Sequence, residues 1–322
     1  CDQLVMTAPG KISFLSLGDT EELDCKQAPS SRLLDFHTGP VLALGSQLVS
    51  LDQTRPVLLT SGLDGCLKVW SDTGGVLCRH TFRQATEAAS DKSTLESSQV
   101  GSGPGPAIAI TSLATAPHDS MALIGTAVGS LHLLYLISES QSGGPDTVGL
   151  ASLGNLQLSH SPTSGIIFHP NRDLIAAACK SELHIIELSH KSSNPLSLLA
   201  STTNDEANSS LLWHDDLLLV ACIDSTVSCF CMSDEGQLDE NNLHLLKKMW
   251  SSKIGTPLTA MLVLESWCSN GDVFVCGASP SSCQLLLLSL PDLGGDTKLT
   301  SAKIGVVHKH GFTCLKTSPC GT

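Results

Sequence analysis

Residues 57–70 read VLLTSGLDGCLKVW, and this stretch decides the fold. An apolar run at 57–59 leads into Thr60-Ser61-Gly62. Asp64-Gly65 is then followed by a run whose apolar positions include Leu67, Val69 and Trp70. Two β-prone runs around an Asp-Gly turn are the strongest short-range hairpin signal a sequence offers. Upstream, His37-Thr38-Gly39-Pro40 forms a polar corner that opens into another strand-like run at 41–44.

Outward from this hairpin the same strand–turn–strand pattern recurs. It appears at residues 4–17, where Pro9-Gly10 supplies the turn. It returns at 107–113 with 121–136 (turn at Val128-Gly129), and at 165–169 with 173–188 (turn at Pro170-Asn171). Further copies run from 210 through 217–232 and over 258–264 with 272–290, and one more begins at 310–318. Aligned on the first apolar residue of the third strand, the units fall at Ile12, Leu67, Leu131, Leu183, Val227 and Leu285. Strands this dense, with no convincing amphipathic helix between them, exclude a βαβ fold. Residues 83–106 are polar, Ser-rich and end in GSGPGP, which predicts a long flexible loop; a helix over 85–96 would have no apolar face.

Over residues 37–70 the chain resembles one repeat of the WD40 β-propeller family. That resemblance implies an all-β propeller of four-stranded blades, with a period of roughly 40–45 residues that the long polar segments stretch. It also implies a buried polar tetrad at His37, Thr60, Asp64 and Trp70 with a structural, not catalytic, role. The other units depart from the pattern. They carry Val128, Lys180, Asp224 and Ser282 at the aspartate position, and Leu134, Ile186, Phe230 and Leu288 at the tryptophan position. Their blades are therefore expected to be held mainly by apolar packing. Blade-like units are expected at about 1–25, 37–82, 107–158, 164–201, 209–251 and 257–304, with a partial one at 308–322. This gives about six blades in a single WD40-like β-propeller domain over 1–322, its termini sharing a blade, or else a slice of a longer propeller array. The irregular blade lengths resemble those of large scaffolds, including ciliary and flagellar tandem-propeller proteins.

Composition bounds the function. Of 322 residues, 41% are hydrophobic and only 15% charged, which is ample material for a core and excludes general disorder. Acidic residues outnumber basic ones by 31 to 18, and a net charge of −13 opposes nucleic-acid binding. The 13 cysteines in so long a chain, many inside apolar runs, favour a reducing intracellular compartment over a disulfide framework. The expected location is cytoplasmic, with cilium, flagellum or nucleus as alternatives. No run of eighteen apolar residues predicts a membrane span. A first residue of Cys suggests a mature product or an excised piece.

Each candidate site has a bland reading beside it. His308, His310, Cys314 and Cys320 are zinc-ligand types, but their spacing fits no familiar finger. Cys229 and Cys231 share one strand face and read as core thiols. The pairs Asp215-Asp216, Asp234-Glu235 and Asp239-Glu240 read as solvated turn residues. Asn208-Ser209-Ser210 fits a glycosylation acceptor, which matters only in a secreted chain. The reading is a non-catalytic protein–protein interaction scaffold that presents blade loops to partners in a larger intracellular assembly. It has no cofactor, no metal, no nucleic acid, no membrane insertion and no small-molecule substrate. The expected partner-binding rim comprises Arg55, Leu63, Arg172, Lys180, Trp213 and Asp224, beside His37. Trp213 is named because exposed tryptophans dominate interfaces, and the alternative places it in a strand core. One alternative is a structural component of a cilium or flagellum; the enzymatic alternative is a propeller hydrolase with its site at the central channel. It would need convergent ionisable residues, which the apolar first strands do not supply.

Overall fold

Short apolar runs punctuated by turn residues become strands throughout the computed structural model. It describes residues 3–8, 11–16, 37–50, 54–71, 75–84, 105–116, 119–139, 147–189, 192, 194–232, 246–263, 274–278, 284–289 and 300–306. Among these residues all the regular secondary structure is strand. The chain divides into two compact units, Cys1–Pro162 and Thr163–Thr322.

The first unit holds a hairpin, β1 (Gln3–Ala8) with β2 (Lys11–Ser16), and two four-stranded antiparallel sheets. One sheet is β3 (Val41–Ser50), β4 (Thr54–Gly62), β5 (Cys66–Trp70) and β6 (Val76–Thr81). The other is β7 (Ile110–Thr115), β8 (Met121–Thr126), β9 (Ser130–Glu139) and β10 (Thr147–Gln157). The second unit holds three more sheets. They are β11 (Thr163–Phe168), β12 (Leu174–Cys179), β13 (Glu182–Leu188) and β14 (Leu196–Thr203); β15 (Asn208–His214), β16 (Leu217–Cys222), β17 (Thr226–Met232) and β18 (Leu246–Lys253); and β19 (Ala260–Val263), β20 (Phe274–Ala278), β21 (Gln284–Ser289) and β22 (Thr300–Val306). In all five sheets the strands pair in chain order. The expected turn at Pro9-Gly10 and the partial unit at 308–322 lie outside the described residues. Most of the loop expected at 83–106 does too. Its two ends are pinned together, Gln84 N–H donating to Pro106 O at 3.0 Å and Arg83 Nη1 to Gly105 O at 2.9 Å.

The sheets repeat one another in backbone detail where the sequence does not. Leu67, Leu131, Leu183, Val227 and Leu285 are each the second residue of a third strand. The first strand of four sheets carries a bulge at the same place, between Val41 and Ala43, Ile110 and Ser112, Thr163 and Gly165, and Asn208 and Ser210. The turn between the second and third strands is stapled on both sides by main-chain bonds. Leu63, Ala127 and Ile223 donate to the carbonyl just before their own first strand, on Pro40, Ala109 and Ala207. The residue after the fourth strand donates back to the turn: Phe82 to Gly65, Leu158 to Gly129, Asn204 to Ser181 and Ile254 to Ser225. These bonds need no particular side chain, so the architecture survives sequence divergence.

Central strands bury both faces. Every residue of β5 and of β8 is buried, hence runs that are apolar except at Lys68, which lies over the Trp70 ring, and at the closing Thr126, where a half-exposed strand would alternate. In the first unit Val57, Leu59, Leu67 and Val69 pack on Ile110, Ala122, Ile124, Leu134 and Leu136, joining its two four-stranded sheets. In the second, Ala176, Leu183 and Ile185 pack on Leu211, Leu218, Val220 and Phe230, while Leu219, Val227 and Cys229 pack on Leu258 and Met261. Each Val, Leu, Ile, Phe or Met side chain among these contributes roughly 1.5–3 kcal/mol by leaving water, and an alanine methyl less. The fourth strands are the wet ones, and β18 buries only Trp250.

Candidate functional site

Four side chains close a hydrogen-bond chain beside the β4–β5 turn. His37 lies just before β3, Thr60 on β4, Asp64 in the turn and Trp70 at the end of β5. Trp70 Nε1–H donates to Thr60 Oγ1 at 2.8 Å, and Thr60 Oγ1 lies 2.9 Å from His37 Nε2. His37 Nδ1 sits 3.0 and 3.1 Å from the two Asp64 oxygens. The tautomer with its proton on Nδ1 satisfies the whole chain: Trp70 donates to Thr60, Thr60 to His37, and His37 to Asp64. Asp64 also accepts from the amides of Thr38 (3.0 Å) and Cys66 (3.1 Å). Burial alone would push the Asp64 carboxyl up. The bonds from His37 and the two amides outweigh it and hold the group below the usual carboxylate range. A hydroxyl, an imidazole and a carboxylate in line look like nucleophile, base and orienter. Here the hydroxyl is 0% exposed and bonded on both sides, so no substrate reaches it.

The other sheets replace this chain with different groups. The fixed spacing that assigned Lys180 to the aspartate position is off by one. Leu67, Leu131 and Val227 pair with Ser61, Gly125 and Ala221, but Leu183 pairs with Ala178. The β12–β13 turn is one residue shorter, and Lys180 takes a left-handed conformation there (φ 54°). Asp224 does keep the turn role, accepting from Thr226 N–H at 3.0 Å and Thr226 Oγ1–H at 2.6 Å, bonds that hold its carboxyl low despite its partial burial. At the tryptophan position Leu134, Ile186 and Phe230 are buried hydrocarbon. Around β15 the polar work falls to Asn204, whose Nδ2 donates to Asn208 Oδ1, and to Asn208, whose Nδ2 donates to the Glu182 carbonyl. Asn208, the asparagine of the acceptor pattern, is thus buried and engaged.

Of the expected rim residues, Leu63 is 56% exposed on its turn, and Lys180 is exposed on the β12–β13 turn. Arg172 is exposed and reaches Asp216 in the β15–β16 turn at 2.8 Å. Asp224 is partly exposed. Arg55 pairs with Val49 in the β3–β4 ladder, and its side chain lies outside the described residues. Trp213 is corrected. It is 6% exposed on β15, packed with Leu211 and Leu218 and with its ring 4.9 Å from that of His169, so it is core and not rim. Ile223, 55% exposed, stands where Leu63 does and was missed. The signal was available, since each precedes the aspartate of a three-residue turn. Cys229 is buried, its thiol pushed up to about 12 by desolvation, whereas Cys231 is only half-buried, its Sγ 3.1 Å from Met249 Sδ. The four suggested zinc ligands and the pairs Asp234-Glu235 and Asp239-Glu240 lie outside the described residues. Among the described residues no three His, Cys, Asp or Glu side chains gather as a metal-binding group.

Neither family models nor curated proteins match the sequence. In fold the chain is similar to a chain of the solved structure "Crystal Structure of Mitotic Checkpoint Complex". The TM-score is 0.60 at 12% identity, over 96% of this chain and 78% of that one. With the blade-like antiparallel sheets, this likeness gives an all-β, propeller-type fold.

Proposed function

We propose that the chain is a divergent WD40-repeat β-propeller protein that acts as a non-catalytic scaffold, holding other proteins against the turns of its blades. The observation that carries this reading is the division of labour among polar groups. Those with catalytic potential (His37, Thr60, Asp64) are buried and spent on one another, bracing the β4–β5 turn that presents Leu63, while turns of the other sheets present Arg172, Lys180 and Ile223, with Asp224 partly exposed. Binding functions concentrate on loops held by a stiff frame, and the doubly stapled turns are such loops. The six cysteines described are all free, which supports an intracellular setting. The net charge of −13 favours protein partners over nucleic acid. The similar solved chain also belongs to a protein complex. In this reading the sheets are successive blades of one domain.

The test is affinity purification of the tagged protein from its own cells, wild type beside the double variant Leu63→Asp/Arg172→Glu. A fixed set of proteins recovered in stoichiometric amount with the wild type, and reduced at least tenfold with an equally stable variant, is the expected result. Recovery of the chain alone across gentle salt conditions overturns the reading.

A further inference from the structure

Two imidazoles flank one phenyl ring where the first unit's sheets meet. His80, on β6, stands edge-on to Phe82, with ring centroids 4.9 Å apart and planes at 77°. His132, on β9, lies against the same Phe82 ring at 5.1 Å and 59°. Phe82 belongs to the apolar cluster that joins these sheets. It is also the pivot of the strap that links them: its N–H donates to Gly65 O, its carbonyl accepts from Ile108 N–H, both at 2.9 Å, and Gln84 N–H then donates to Pro106 O.

The surroundings suit neutral rings only. His80 Nε2 is buried without a hydrogen-bond partner, and His132 Nε2 has only the Ser130 hydroxyl at 3.1 Å, itself bonded to Thr126 Oγ1 at 2.7 Å. The ladder neighbours on this side are Leu67 (β5) for His80, and Ile124 (β8) and Asn155 (β10) for His132. Cys78, two residues along β6, packs against the same cluster. The nearby cations are engaged elsewhere, Lys68 over Trp70, Arg79 on Cys66 Sγ and Arg83 on Gly105 O. Among the described residues no carboxylate offsets a charge on either ring. Desolvation lowers the proton affinity of both, and His80 lowers that of His132 further, to a pKa of about 4.

We propose that the His80–Phe82–His132 stack is an acid-sensitive fastener, in which protonation of the two imidazoles parts the end of β6 from β9 and releases the strap of residues 82–84 and 106–108. At neutral pH the rings are uncharged and the strap is closed. Opening hydrates both rings, which then bind protons as ordinary histidines do. For His132 alone, moving from a pKa of about 4 closed to 6.5 open favours opening about 30-fold more at pH 5 than at pH 8. His80 adds in the same direction.

Amide hydrogen exchange on the whole chain at pH 5 and pH 7.5, corrected for intrinsic rates, tests this at Phe82, Gln84 and Ile108. The expected result is a loss of protection of about 30-fold or more at pH 5, reduced in His132→Gln and in His80→Gln and under threefold in the double variant. A wild-type loss under threefold, or a double variant that keeps the wild-type loss, overturns the proposal. An NMR titration of the wild-type rings stands even if the variants do not fold: a His132 midpoint near 6.5 in the closed chain also overturns it, and one near 4 supports it.

Discussion

Asp64 accepts from His37 Nδ1 and from the amides of Thr38 and Cys66. Asp64→Ala therefore strands three donors in a site whose side chains are almost wholly buried. The expected cost is about 1–3 kcal/mol, read as a lowered urea midpoint at unchanged slope. Asp64→Asn keeps one acceptor oxygen and should cost less. An unchanged midpoint for Asp64→Ala would deny the carboxylate its structural role. These residues were legible because a tight Asp-Gly turn sits at a fixed distance from a histidine corner and a strand tryptophan, and each of those types has few alternative uses in such a place. Trp213 was not legible. In a strand buried on both faces neighbouring residues are apolar whichever way they point, so the alternation that separates core from rim is missing at LLWHDD.

At the scale of the element, the second-to-third-strand turns are where sequence and structure constrain each other most. Gly129 adopts φ +75°, and a Cβ there would stand 2.3 Å from Ser159 O and 2.6 Å from Ser161 O, both main-chain atoms of the segment after β10. Gly255 has a similar φ, +82°, but nothing lies within 4 Å of the added carbon. Gly255→Ala should cost only the left-handed backbone penalty, about 1–2 kcal/mol. Gly129→Ala should cost that plus displacement of the backbone, about 3 kcal/mol or more. Paired thermal melts separate the two, and equal losses would show that the β8–β9 turn does not bear on residues 159–161. Third strands were legible because the turn sets their phase, which is why the apolar anchors fall at the second residue of each. The fourth strands show the limit. LKKMWSSK buries one residue in eight and carries almost no periodicity, and its place is set by the β17 ladder beside it. The β12–β13 turn was hidden for another reason: a turn one residue shorter than its counterparts still reads as a turn, and only the register shifts.

For the molecule as a whole, two electrostatic effects pull in opposite directions as the pH falls. The net charge of −13 shrinks toward zero near the pI of about 5.2, which relieves self-repulsion and should stabilise the fold. Against this stand His80, His132, His169 and His184, each held low chiefly by desolvation. Above pH 6.5 both folded and unfolded chains carry these rings neutral, and stability is level. Below 6.5 the unfolded chain takes up protons that the folded chain refuses, so stability falls until the folded pKa is reached, about 4 for His132. That ring alone is worth on the order of 3 kcal/mol across the window. Asp64, also held low, adds a second loss only as the pH drops below 3.8 and its bonds to His37, Cys66 and Thr38 are given up. Relief of surface repulsion is spread over exposed groups and is weakened by salt, whereas buried rings are screened little. The expected outcome is therefore a Tm that is flat from pH 8.5 to 7 and falls steadily from 6.5 to 4. The slope should survive 0.5 M sodium chloride. A Tm that rises toward pH 5.2, or a slope abolished by salt, would show that surface charge governs the acid response and that these four histidines titrate as exposed groups.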